Sequence, residues 1–239
     1  MTITTTMDIP DFTEEIIDMD LTKSIEYFNP INVRGKCQII GCGSVGSTVA
    51  ELLARLGITK FALYDFDIVE PHNIANQMFA YSDIKSKKVD AVKRIITSIN
   101  PDTSNAIEIF PDGYSNQRLG GYVFLCVDNI DLRREICKNN RLNRSIKAVF
   151  DFRTRLEDAQ HYAADWNDMR QVDNLIKSME FTHEEAHAAT PVTACGTELG
   201  VAPTVRVICS LGVCNFMNLI RGVPIKNIVV CDPFKMDIF

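Results

Sequence analysis

The chain has 239 residues, of which 46% are hydrophobic and 23% charged, and a formal net charge of −6. These values fit one large or two small globular domains with a buried core, and exclude a disordered, collagen-like or disulfide-scaffold chain. The acidic balance gives no general attraction to nucleic acid or to an anionic membrane, so neither is expected as a partner.

Residues 1–30 read as a polar, acidic N-terminal arm with Pro30 as punctuation, unlike a signal peptide. Lys36–Gly41 is a short apolar run, hence a strand. Ser44–Leu56 carries Val45, Val49, Leu52, Leu53 and Leu56 at helical spacing. Lys60–Tyr64 reads as a second strand, and Ser86–Ile99 as an amphipathic helix stopped by Pro101. Strands are expected at Ala106–Phe110 and Tyr122–Val127, a helix at Ile130–Arg141 and a strand at Ile146–Phe152. Beyond Arg153 the pattern loosens. Leu156–Ala164 fits a strand, Met169–Met179 a helix, Phe181–Cys195 a loop with a helical turn, Leu199–Arg221 a long helix and Asn227–Cys231 a last strand. The alternation predicts an α/β fold, a Rossmann-like and mostly parallel sheet flanked by helices, with an elaborated C-terminal half. Residues 31–239 then form a single nucleotide-binding domain. The most apolar long window, Val201–Ile220, is broken by Thr204, Arg206, Asn215 and Asn218 and reads as a core helix. Eight cysteines without a C-x-x-C pair suit a reducing, cytoplasmic setting, and the absent pairs argue against structural zinc.

Gly41-Cys42-Gly43-Ser44-Val45-Gly46 is a G-x-G-x-x-G between a strand and a helix. Gly41 permits the turn, Gly43 lets backbone approach a phosphate, Gly46 lets the helix pack closely, and the helix start at Ser44 offers N–H donors. Asp65, nineteen residues after Gly46, ends the second strand where a carboxylate reaches ribose hydroxyls. Nucleotide binding follows, with NAD and ATP both open at this point.

The continuation Asp65-Phe66-Asp67-Ile68-Val69-Glu70-Pro71-His72-Asn73-Ile74-Ala75-Asn76-Gln77 resembles the D-x-D-x-V-x-x-x-N-x-x-x-Q segment of the ThiF/MoeB-like adenylyltransferases in the ubiquitin-activating superfamily. The resemblance extends through Ser82–Ala91, through Cys126-Val127-Asp128-Asn129-Ile130-Asp131-Leu132-Arg133, and to Ala194-Cys195-Gly196 with Leu199–Pro203. It implies ATP–Mg²⁺ chemistry that adenylates a carboxylate on a ubiquitin-like protein, a peptide or a small molecule. It further implies that Asp65 and Asp67 belong to the nucleotide site, that Asn73 and Lys88 contact phosphates, and that Gln77 supports the site. Asp128 would hold Mg²⁺, Asn129 and Arg133 would shape that loop, Cys195 would be a second-step nucleophile, and the chain would form a homodimer. Three departures stand out: Asn76 replaces the family's arginine, no R-Y-x-R-Q segment precedes Gly41, and paired zinc cysteines are missing. Arg34, Arg153 and Arg155 are the candidate replacement cations.

Two readings compete. The glycine loop alone fits an NAD-dependent oxidoreductase, and the lost arginine fits a nucleotide-binding module without catalysis. A third pattern, His183-Glu184-Glu185-Ala186-His187, matches the H-E-x-x-H of zinc proteases. Thr182 and Glu185 form a capping box there, however, and Pro191 limits the helix to about two turns.

Overall fold

The computed structural model describes residues 19–188 and 199–239, with the side chains of 186–188 outside the description. Eight strands form one sheet: β1 (Cys37–Ile40), β2 (Phe61–Tyr64), β3 (Ile107–Phe110), β4 (Gly121–Leu125), β5 (Ile146–Thr154), β6 (Ala159–Asp165), β7 (Ile228–Asp232) and β8 (Asp237–Ile238). Their spatial order is β3-β2-β1-β4-β5-β6-β7-β8. The first five run parallel, and β6, β7 and β8 add on antiparallel. The Rossmann-like half thus holds the expected elements, and the elaborated half is an antiparallel extension of the same sheet. The strand at 156–164 starts three residues later than expected, because Arg155–Asp158 make the turn that reverses the chain into β6.

Alternating strand residues feed two cores, since successive side chains point to opposite faces. Tyr122, Phe124 and Cys126 pack under α1 (Ser44–Arg55), α2 (Lys88–Ile99) and α6 (Ala202–Ile220). Val123 and Leu125 pack under α3 (Ile130–Asn139) and α4 (Met169–Lys177). The inner half of the N-terminal arm is docked: Phe28 is buried, and its ring lies 6.2 Å from that of Phe216 on α6. Residues 1–18 of that arm lie outside the described residues.

By length and composition α6 is apolar enough to cross a bilayer. Here its Ile208, Cys209 and Phe216 are buried against α1 and the sheet. A Cβ at Gly212 would sit 2.2 Å from Phe152 Cε1, so only glycine lets α6 approach β5 this closely. His161 on β6 fills the space beside it. Its Nδ1 donates to the Asp151 carbonyl (3.1 Å), and its Nε2 accepts from Asn215 Nδ2 (3.2 Å). This pairing uses the neutral ring, and burial holds its pKa down at about 4, against 6.5 when free.

The shift fixes a pH dependence. Between about pH 6.5 and pH 4 the unfolded chain takes up a proton that the folded chain refuses, so stability falls as pH drops through that window. The expected loss is about 3 kcal/mol at roughly 1.4 kcal/mol per unit. Asp65, raised by burial, acts in the opposite sense at the acid end only. Denaturant titrations across the window check this; a flat stability profile contradicts it.

Candidate functional site

The strand order reverses direction at β1, which is flanked by β2 on one side and β4 on the other. Open parallel sheets bind ligands in the crevice beyond the strand ends at such a switch point. The loops leaving β1, β2 and β4 meet there.

The glycine loop is built by exclusion of side chains. Gly41 has φ +95°, and a Cβ there would lie 2.6 Å from Val127 N. A Cβ at Gly46 would lie 1.8 Å from the Gly41 carbonyl oxygen. Both positions therefore require glycine, and together they press the β1 exit against the β4 exit. Gly43 differs: its Cβ position meets only Gln77 Oε1, at 3.9 Å. Its backbone is open to a ligand. Gln77 Oε1 is buried without a hydrogen-bond partner, which leaves an acceptor beside the loop.

Asp65 closes the loop from the β2 side. Its Oδ2 accepts from Cys42 N (2.6 Å) and its Oδ1 from Asp67 N (2.8 Å). Burial raises its pKa against the opposing pull of those two hydrogen bonds. Each oxygen keeps acceptor capacity for a ribose hydroxyl. Lys88 opens α2 and is buried, and its Nζ donates to Asp67 Oδ2 at 2.7 Å. It lies close enough to Asp65 and Cys42 to act on both electrostatically. The cluster Lys85, Lys87, Lys88 is thus split: Lys85 is exposed, Lys87 donates to the Phe66 carbonyl (3.0 Å), and Lys88 points into the site. Asn73 is buried in a 3₁₀ turn, where its Oδ1 accepts from Glu70 N (2.9 Å) and leaves Nδ2 to donate. Ser44 Oγ donates to the Asn76 carbonyl (2.7 Å), which ties the motif segment to the start of α1.

Asp128 stands exposed at the β4 exit, with no bond to its carboxylate among the described residues. Asn129 caps α3 by accepting from Leu132 N (3.0 Å), so the helix cap and the free carboxylate are separate residues. Arg133 anchors the same turn. Its Nε donates to the Val127 carbonyl (2.6 Å) and its Nη1 to Asp151 Oδ1 (2.7 Å). Asp151 is fully buried and also accepts from Arg153 Nε (2.7 Å). Arg153 is further committed to Ser178 and stacks over the Tyr162 ring at 4.1 Å. It is therefore not a spare cation, contrary to its candidacy. Arg34 precedes β1 and so sits at the opposite end of the strands from the glycine loop. Arg155 is exposed and faces Asp158 at 3.9 Å.

Cys195 lies outside the described residues. Of the seven cysteines described, six are buried, and desolvation raises Cys42, Cys126 and Cys209 well above a reactive range. Cys214 is exposed on α6. The H-E-x-x-H segment opens α5 (His183–Ala188), where Thr182 N donates to Glu185 Oε2 (2.7 Å) and Glu185 N to Thr182 Oγ1 (3.1 Å). That is the expected capping box, and it spends Glu185 on the helix start.

Comparison with known proteins follows the same lines. A model of the ThiF family matches residues 32–238. Ubiquitin-like modifier-activating enzyme 5 of Arabidopsis thaliana is 33% identical over 118 residues, covering 41% of this chain and 27% of that protein. The Gallus gallus enzyme of that name is 36% identical over 114 residues, covering 41% and 29%. The chain spans 27% to 37% of the length of such curated relatives. Among solved structures, E. coli MccB with ATP aligns at TM-score 0.68 and 17% identity, covering 88% of this chain and 64% of that one. PaaA aligns at TM-score 0.66 and 16% identity, covering 98% and 76%. These structures share the fold.

The ion pairs of the site make a stability prediction. Arg133→Met leaves part of a buried carboxylate unpaired and should cost about 3–5 kcal/mol. Asp173→Asn, which breaks the exposed Arg141–Asp173 pair, should leave stability nearly unchanged. Denaturant unfolding of the two variants checks this, and equal losses would contradict the burial argument.

Proposed function

The chain belongs to the ThiF family, and from that premise we propose that it uses ATP to adenylate a carboxylate and release pyrophosphate. The observation that carries this reading is the buried Lys88 held by Asp67 beside the glycine loop. A helix N-terminus with one ribose carboxylate suffices for the two phosphates of NAD. Three phosphates call for additional positive charge, and a lysine withdrawn from solvent supplies it.

In this mechanism Asp65 and the backbone at Gly43 hold the nucleoside and its first phosphates. Asn73 Nδ2 and Lys88 Nζ donate to the triphosphate, and the α1 N-terminus at Ser44 adds its dipole. An ionised carboxylate oxygen attacks the α-phosphorus. The new P–O bond forms as the bond to the β-phosphate oxygen breaks, and pyrophosphate leaves with the electron pair. No proton moves, because the attacking carboxylate is already ionised. Asp128, exposed and unpaired, fits a role as the Mg²⁺ ligand. When bound, that ion offsets charge on the departing pyrophosphate.

The acceptor side comes from the relatives. Ubiquitin-like modifier-activating enzyme 5 is named for a ubiquitin-like modifier, and MccB is crystallised with MccA. We take the acceptor here to be a carboxylate of that kind, on a ubiquitin-like protein, a peptide or a small molecule. Cys195 as a covalent second-step nucleophile, a homodimer and a cytoplasmic location belong to the same proposal.

Acceptor-dependent exchange of labelled pyrophosphate into ATP tests it. Asp128→Ala should lower the exchange rate by about 100-fold or more while the melting temperature holds, because Asp128 is exposed and its carboxylate has no bond among the described residues. Undiminished exchange in that variant would overturn the assignment.

A further inference from the structure

Asn76 leaves the phosphate end of the site one cation short. The arginines considered from sequence do not make up the loss: Arg153 is spent on Asp151 and Ser178, and Arg34 lies at the far end of the sheet. The fold brings a different arginine to the place. A Cβ at Gly200, just before α6, would lie 3.7 Å from Asn76 Nδ2, so α6 begins beside that residue. Arg206 follows in the second turn of α6, and its Nη1 donates to Thr48 Oγ1 on α1. Thr48 Oγ1 donates in turn to the Ser44 carbonyl (2.8 Å), and Ser44 Oγ donates to the Asn76 carbonyl (2.7 Å). A continuous line of hydrogen bonds therefore runs from Arg206 to Asn76 across the first turn of α1.

The electrostatics are equally specific. Arg206 is half-buried, and no carboxylate among the described residues pairs with it. A hydroxyl takes one of its five donors, which leaves the rest of the fork unmatched by negative charge. Withdrawing a guanidinium into a helix–helix seam with a neutral partner is unfavourable unless an anion completes it. The helix N-terminus at Ser44, one turn before Thr48, favours an anion beyond it.

We propose that Arg206 is the binding residue for the terminal phosphates of ATP, supplying from α6 the positive charge that Asn76 lacks. The proposal rests on the adenylation reading and names a residue that this reading does not itself require.

Calorimetric titration with Mg-ATP and with AMP separates the possibilities, because AMP lacks the phosphates in question. Arg206→Met should weaken ATP by about tenfold or more and change AMP by less than about twofold. Arg206→Lys keeps the charge and should retain most of the preference for ATP. Asn76→Arg in the Arg206→Met background should restore ATP affinity, which a packing role cannot explain. An unchanged ATP-to-AMP ratio in Arg206→Met overturns the role of Arg206 and leaves the adenylation reading standing. Parallel loss of both nucleotides without rescue by Asn76→Arg overturns it also. If Arg206→Met does not fold, an Arg206→Lys chain without ATP preference overturns it. No ATP binding by the unaltered chain would instead remove the adenylation reading itself.

Discussion

The site depends on two missing side chains. The Gly41 carbonyl occupies the space a Cβ at residue 46 would need, at 1.8 Å, and the β4 exit occupies the space a Cβ at residue 41 would need, at 2.6 Å. Two contacts of backbone on backbone thus bolt the start of α1 to the end of β1, and the end of β1 to the turn carrying Asp128. Every other element of the site is referred to this joint. Cys42 N is aimed at Asp65 because the turn is tight, and Ser44 reaches the Asn76 carbonyl because α1 starts where it does. A larger residue at either glycine would separate the glycine loop from the Asp65 carboxylate that holds it.

Around that joint the charges divide by depth. Asp151, fully buried, is matched by Arg133 and Arg153, and Arg133 passes this restraint on to the Val127 carbonyl beside Asp128. These pairs cost desolvation energy, and their return is the fixed placement of the β4 exit. Lys88 is also withdrawn from water, but its partner Asp67 is half-exposed, so its charge is only partly quenched. Arg206 is matched by a hydroxyl alone. Lys88 and Arg206 thus keep charge that, on the proposed reading, a polyanionic substrate would complete.

Much of this was legible in the sequence, and what was not shares a physical cause. The glycine loop, Asp65 at the end of β2 and the five parallel strands are local patterns, set by turn stereochemistry and by periods of two and 3.6 residues. Asn73, Gln77, Lys88 and Asp128 stood out through the family resemblance rather than through periodicity. Which of three neighbouring lysines turns inward was not readable from spacing, because burial of Lys88 depends on Asp67 twenty-one residues away. Asn129 rather than Asp128 caps α3, a choice of one residue that helix periodicity leaves open. The engagement of Arg153 required the antiparallel return of β6 and the turn after α4, both distant in sequence. The two-residue β8 is too short to leave a pattern. Arg206 carried one signal, a charge inside the most apolar window of the chain, which reads from sequence only as an interruption.

The central claim is that the crevice between the β1 and β4 exits is shaped for a nucleoside triphosphate rather than a dinucleotide. Direct competition at equilibrium tests this most plainly, with a fluorescent ATP analogue bound to the unaltered chain in the presence of Mg²⁺ and displaced by unlabelled ATP or by NAD. The account predicts that ATP displaces the probe at far lower concentration than NAD does. Tight displacement by NAD with none by ATP would contradict it.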